Sequence, residues 1–122
     1  MSTPTIRATF DLDAAGRPTA EESGDLRHYH IRLRVDGAPS DTYAVTYVLD
    51  PSYHSAVREV RDSATGFEEH LTSYGDYTVQ AKIRARDGVT TVMVPLSTAL
   101  VDGHGKAPSP AIAEALQRIA AH

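Results

Sequence analysis

Two stretches of strict two-residue alternation dominate this chain. Tyr29, Ile31, Leu33 and Val35 alternate with His28, His30, Arg32 and Arg34. Tyr77, Val79, Ala81, Ile83 and Ala85 alternate with Thr78, Gln80, Lys82, Arg84 and Arg86. Successive side chains of an extended strand point to opposite faces, so each stretch is a strand with one apolar and one polar side. Such strands require a second apolar layer to cover them.

The remaining segments supply that layer. Ile6, Ala8, Phe10 and Leu12 alternate with polar residues and predict a first strand near 4–12. Residues 14–24 carry Gly, Pro, Ala, Glu and Ser without period and read as a loop. Asp36-Gly37-Ala38-Pro39 ends the 27–35 strand with turn chemistry. A third strand is expected at 42–49, with Tyr43, Val45, Tyr47 and Leu49 on one face. Its other face (Ala44, Thr46, Val48) is also fairly apolar, which predicts a central strand covered on both sides. A short extended piece follows at Val57–Val60, then a weak strand over Phe67–Leu71 and a turn around Ser73–Gly75. Asp87-Gly88 offers a tight hairpin turn into Val89–Leu96, where Pro95 suits a strand edge or end.

Gly103, Gly105, Pro108 and Pro110 mark residues 101–108 as a linker. Ser109 as N-cap, Pro110 at the first helical position, and Ile112, Ala115, Leu116 and Ile119 on one stripe predict a helix over 109–122. Six or seven short strands with turns between them indicate an all-β sandwich over 1–100 with a short C-terminal α-helix. The narrow apolar stripe of that helix packs either on the sandwich or on a partner.

Composition narrows the function. At 122 residues the chain is one domain, and a chain of this size buries about two-thirds of its unfolded surface. It therefore folds without cross-links, and it has no Cys, which excludes disulfide scaffolds, thiolate metal sites and Cys nucleophiles. Twelve Lys and Arg against 16 Asp and Glu leave a formal −4, which argues against nonspecific binding to nucleic acid or an anionic membrane. No apolar run approaches the ~20 residues that span a bilayer, and residues 1–10 lack a basic stretch followed by an apolar one. These features point to a soluble cytoplasmic protein.

Four constellations carry chemical potential. His28 and His30 share one strand face and could present two nitrogens to a metal ion, but Arg32 and Arg34 continue that face and repel a cation. Nucleophilic catalysis has no support: there is no G-x-S-x-G elbow, and His54-Ser55, Glu21-Glu22 and Glu68-Glu69 are neighbours that point apart on a strand. Gly103-His104-Gly105-Lys106 lacks the preceding Gly and the capped helix of a phosphate loop. The basic residues form two outer stripes, Arg32/Arg34 and Lys82/Arg84/Arg86, which suit a solvated surface. The fourth constellation is aromatic. Tyr53 and Tyr74 occupy turns beside small residues (Pro51-Ser52-Tyr53 and Ser73-Tyr74-Gly75), where a ring can form one wall of a flat slot or simply plug the end of the sandwich.

The run from Tyr43 to Tyr53, then Val57-Arg58-Glu59-Val60, Phe67, and Ser73-Tyr74-Gly75-Asp76-Tyr77-Thr78-Val79 resembles the YEATS domain family. In that family a strand ends in a Leu-His-Pro-Ser/Thr-Phe-like motif, and a Gly-Trp-Gly-Glu-Phe-like turn opens a later long strand. The likeness covers about 28–97 and is best over 45–86, with the bacterial variant the closer match. It implies an immunoglobulin-like β-sandwich whose end loops form an aromatic slot, used by eukaryotic members to read acylated lysines.

Carried over by motif position, the resemblance assigns a ligand-binding set. Tyr53 and Tyr74 are the two rings, Ser52 is the hydroxyl, Ser73 and Gly75 flank the second ring, and Asp50 takes the place of the motif's His. The resemblance also places strands 27–35 and 76–86 in opposite sheets. An ionised Asp can only accept hydrogen bonds, so Asp50 changes the chemistry of that position.

The resulting expectation is a non-enzymatic module without cofactor or metal. It binds an acylated lysine or similar planar ligand on a modified peptide or protein partner. The alternative is a protein–protein adaptor of a bacterial signalling or defence system with no small-ligand pocket. In either case homo- or hetero-oligomers could form through the C-terminal helix or a sheet edge. A metal enzyme built on His28 and His30 is a third class, tested by elemental analysis.

Overall fold

The structure is a computed structural model and describes residues 3–122; the first two residues of the expected 1–100 unit lie outside them. Eight strands form two antiparallel sheets, and two helices follow. The strands are β1 (Thr5–Phe10), β2 (Ala20–Ser23), β3 (Leu26–Asp36), β4 (Ala44–Val48), β5 (Val57–Val60), β6 (Glu69–Ser73), β7 (Thr78–Ala85) and β8 (Gly88–Pro95). The helices are α1 (Leu96–His104) and α2 (Pro110–Ala121).

The first sheet is built on β3, which pairs with β1, β2 and β6. Ile31 pairs with both Phe10 and Leu71, and Tyr29 with both Ala20 and Ser73, so β1 and β2 lie end to end along one side of β3. The second sheet has the order β5-β4-β7-β8. The alternating strands β3 and β7 thus sit in opposite sheets. Ile31, Leu33, Val45, Tyr47, Val79, Ala81 and Ile83 bury their apolar sides in one cluster between the layers. The stripe Arg32/Arg34 faces outward from one sheet, and Lys82/Arg84 from the other.

The outer stripes differ in their ion pairing. Arg7 and Arg34 share Asp36 at 2.8 and 3.4 Å, and Arg32 reaches Asp11 and Glu68. Among the described residues neither Lys82, Arg84 nor Arg86 has a carboxylate within 4.0 Å; Arg84 instead donates to Thr46 Oγ1. β4 is central and covered on both sides, with Ala44 through Tyr47 all buried. Tyr47 is fully buried, its hydroxyl donates to the Phe67 carbonyl at 2.7 Å, and burial pushes its phenol well above the usual range. Phe67 is the one described non-glycine residue at positive φ (58°), and that bond helps to hold it there.

Several expectations from local pattern are corrected. Residues 14–24 are not all loop: Ala20–Ser23 pairs with Leu26–Tyr29 as β2, because a short polar edge strand has no buried face to impose a period. Tyr43 lies outside β4 and is 52% exposed, so it does not join the apolar face of Val45, Tyr47 and Leu49. The β7–β8 turn is centred one residue early, on Arg86-Asp87, with Ala85 opposite Gly88 and the positive φ (148°) confined to Gly88.

The largest correction concerns 96–108. The strand stops at Pro95, which stands at the edge of its sheet and caps α1, and Leu96 begins a helix rather than ending a strand. Leu96, Ala99 and Leu100 are fully buried at i, i+3, i+4 spacing. The expected linker 101–108 is therefore helical as far as His104, and the fold has two helices where one was expected. α2 matches its expectation: Ser109 accepts from the Ile112 N–H, Pro110 opens the helix, and Ile112, Ala115 and Ile119 are buried in the same cluster as the sheets.

α1 covers the open side of β1. Its Gly103 lies so close that an added Cβ would collide with the Ala8 carbonyl. The next residue, His104, stacks on the Phe10 ring and accepts the Phe10 N–H through Nε2 at 3.0 Å. The Gly103-His104 pair thus serves packing on an edge strand. A His that accepts through Nε2 is neutral, and burial holds His104 below its ordinary pKa. The folded state then binds fewer protons than the unfolded chain just below pH 6.5, so its stabilisation is complete above that value and fades as pH falls through the folded pKa. We expect His104 to titrate below 6.5 by NMR, and His104→Gln to flatten the loss of stability between pH 7 and 5 in denaturant melts. An unchanged slope would contradict the assigned bond.

Candidate functional site

The candidate slot lies where three segments meet at one end of the sandwich: the β4–β5 connection, the β6–β7 turn, and the end of α2. They line a solvent-open cavity of about 470 Å³. Asp50, Ser52, Tyr53, Ser73, Tyr74 and Gly75, singled out from sequence, all line it. His28, His54, Thr72, Asp76, Tyr77 and His122 also line it.

One wall is rigid and aromatic. Tyr53 sits on the turn after β4, closed by its own N–H to the Asp50 carbonyl. Its hydroxyl donates to the Thr72 carbonyl at 2.6 Å and accepts from the Tyr77 hydroxyl at 3.1 Å. The Tyr53 and Tyr77 rings are tilted at 60° with centroids 5.7 Å apart, and the Arg58 guanidinium lies 5.7 Å over the Tyr53 ring. Arg58 is itself tied to the Ser55 and His70 carbonyls. Burial, then the bond with Tyr53, pushes the Tyr77 phenol far above its usual range. Both tyrosine hydroxyls of this wall are bonded within the protein, so what the two rings offer the cavity is ring surface at fixed position.

The second wall is Tyr74 between two imidazoles. His28 on β3 meets its ring edge-on at 5.2 Å, and His122 after α2 lies 6.4 Å away. Tyr74 is 45% exposed, and among the described residues no ring contact joins it to Tyr53. The two tyrosines line the same cavity and are held by different partners. The turn under Tyr74 is held by Ser73, whose buried hydroxyl donates to the Gly75 carbonyl at 2.7 Å and accepts the Gly75 N–H at 3.3 Å. Glycine is required at 75 for close approach: a Cβ there would lie 2.9 Å from the His122 carbonyl carbon.

Two carboxylates stand on the rim. Hydrogen bonds from Ser52, its backbone N–H at 2.9 Å first and then its hydroxyl, hold Asp50 below the ordinary carboxylate value. Asp50 is thus an ionised acceptor, as its residue type implies. Asp76 accepts the Ser97 N–H at 2.9 Å and the Ser97 hydroxyl at 2.6 Å, and so caps α1, whose own N-cap is the side-chain-poor Pro95. Among the described residues, no three His, Asp or Glu side chains gather as a metal site. His28 faces Tyr74, and His30 pairs across to Thr72.

The two-sheet sandwich recurs among known proteins. The family model for the prokaryotic YEATS domain matches residues 29–94, more than half of the chain. The chain belongs to the prokaryotic YEATS domain family. No curated protein matches it. A solved structure described as the Yaf9 YEATS domain recognising H3K122suc peptide aligns over 94% of this chain and 94% of that one, at 14% identity and a TM-score of 0.56. A second structure of the Yaf9 YEATS domain aligns over 91% of this chain and 79% of that one, at 15% identity and a TM-score of 0.53. At such identities the likeness is one of fold. It agrees with the immunoglobulin-like β-sandwich expected for a YEATS domain.

Half of the cavity lining escaped the sequence reading. The alternation predicts Tyr77 as a strand aromatic, but it lies one residue before β7, and the period gives no sign that its hydroxyl reaches Tyr53. The alternation of β3 puts His28 on the same face as Arg32 and Arg34 and gives no sign of its contact with Tyr74. His122 and Asp76 carry no local signal, because their place in the lining depends on where α2 and α1 dock. The close approach to Gly75 gives the one retrospective clue, a glycine in a turn whose φ does not need one.

Proposed function

We propose that this YEATS domain is a non-enzymatic recognition module that receives an acylated lysine, or a similarly planar side chain, of a peptide between the Tyr53/Tyr77 wall and Tyr74. The observation that carries this reading is the cavity itself. Tyr53, Tyr77 and Tyr74, with separate supports, line a space of about 470 Å³, within the ordinary 300–1,000 Å³ range of ligand sites. A planar amide is a good occupant of such a slot, since ring contacts contribute about 0.5–1.5 kcal/mol each beyond burial. Because Ser52, Tyr53 and Ser73 spend their hydroxyl donors inside the protein, the amide would be met by ring faces and by backbone groups. The fold relative named for recognising a succinylated histone peptide supports a modified peptide as the class of partner.

Titration of the domain with acetyl-, butyryl- and succinyl-lysine peptides by calorimetry tests the reading. Wild type is expected to bind at least one acyl form, with Tyr53→Ala and Tyr74→Ala each weakening it at least ~10-fold, or about 1.4 kcal/mol. Absence of binding to every acyl form would remove the proposal.

A further inference from the structure

The four sheet edges of this fold are not treated alike. β1 is covered by α1, through Gly103 against Ala8 and His104 bonded to the Phe10 N–H. The other outer strands carry charge: β2 has Glu21 and Glu22, β6 has Glu69 and His70, and β5 has Arg58 and Glu59 in four residues. Charge and cover are the usual protection of an edge against pairing with another chain. β8 has neither. Its eight residues, Gly-Val-Thr-Thr-Val-Met-Val-Pro, contain no charge, and among the described residues its only strand partner is β7. Val89 and Met93, on its outward face, are 54% and 65% exposed.

We propose that the free edge of β8 is a self-association surface, on which a second copy of this chain pairs its own β8 antiparallel about a two-fold axis at Thr91. Self-complementarity selects that occupant. Antiparallel pairing within one continuous sheet joins residues that share a face. With Thr91 opposite Thr91 of the second copy, Val89 meets Met93, Thr90 meets Val92, and Gly88 meets Val94. The pairing thus covers Val89 and Met93 twice over with apolar partners and brings no like charges opposite each other. It also leaves Pro95, which has no N–H to donate, just outside the ladder. The nearest cations, Lys82 beside Thr91 in each copy, would stand three strand spacings apart, about 14 Å. That exceeds the ~8 Å screening length at physiological salt, so they oppose the pairing little. The product is one eight-stranded sheet, whose slots lie beyond the Pro95 end of each β8.

Seven residues of strand make an interface smaller than the 1,200–2,000 Å² of stable complexes, so the association is weak and concentration-dependent. Sedimentation equilibrium of the full chain from about 10 μM to 1 mM is the test. Wild type is expected to pass from monomer toward dimer across this range. Thr91→Lys and Thr91→Glu should each remain monomeric with a melting temperature near that of dilute wild type. Mixed in equal amounts, they should recover a dimer containing one of each. Wild type that stays monomeric to 1 mM would overturn the proposal. So would single variants that dimerise as well as wild type, or a mixture that stays monomeric although wild type dimerises.

Discussion

Gly103→Ala is expected to destabilise this domain by about 3 kcal/mol or more. Overpacking a well-filled core costs 1–3 kcal/mol when side chains can move aside. Here the obstacle is backbone: the new methyl would overlap the Ala8 carbonyl oxygen and lie 2.9 Å from its carbonyl carbon, with Thr9 Cγ2 at 3.1 Å. To relieve the overlap α1 must lift from β1, which withdraws the Phe10 N–H···His104 bond and loosens Leu96, Ala99 and Leu100, all fully buried. For a domain of this length 3 kcal/mol is about 10 °C in melting temperature, and total stability is only about 5–15 kcal/mol. Differential scanning calorimetry of Gly103→Ala beside Gly105→Ala makes the comparison. Gly105 has open space around its Cβ position, but its φ of 80° with ψ of −171° is a conformation almost confined to glycine, so its cost is backbone strain of about 1–3 kcal/mol with no steric overlap. A Gly103→Ala melt within 2 °C of wild type would contradict the α1–β1 packing.

Removing residues 107–122 is expected to cost a similar amount. Ile112 and Ile119 are 8% and 0% exposed, and each contributes about 1.5–3 kcal/mol of burial, to which Ala115 adds less. The entropy recovered by freeing the helix offsets part of this. A fall of about 10 °C or partial unfolding should follow, and an unchanged melting temperature would mean that α2 does not dock. Because the deletion also removes His122 from the slot, the single change His122→Ala separates the two effects. His122 is exposed, and its loss should leave the melt unaltered. A change in peptide affinity in His122→Ala would then report the wall alone.

The fold was legible where burial is one-sided and uninterrupted. β3 and β7 could be read residue by residue because one face of each is in the core and the other in water, which writes the two-residue period directly into the chain. α2 was legible for the matching reason: Ser109, Pro110 and a stripe of Ile112, Ala115 and Ile119 carry both its start and its inward face. α1 was not. Its buried residues, Leu96, Ala99 and Leu100, occupy less than two turns, directly after a strand whose own period (Val92, Val94) runs into Leu96 in phase. Gly103 then looks like a helix breaker, although it is there to let a helix approach a strand.

The slot divides in the same way. Tyr53 and Tyr74 stood out because an aromatic ring in a turn beside Ser or Gly has no local reason to be there. Family likeness added Asp50, Ser52, Ser73 and Gly75. The partners that make these rings walls lie far along the chain: Thr72 and Tyr77 lock Tyr53, while His28 and His122 bracket Tyr74. Such pairings are set by which strands share a sheet and where a helix ends, and nothing within a few residues encodes them.

Local periodicity therefore decided that this chain is a two-layer β-sandwich ending in an amphipathic helix, since the pattern of burial repeats at the pitch of each element. Docking decided the rest. Only the packed structure shows that α1 seals the β1 edge, that α2 brings His122 to Gly75, and that β8 remains the edge with no charge and no strand on its outer side. Each of these depends on distances between segments remote in sequence, which no local period can carry.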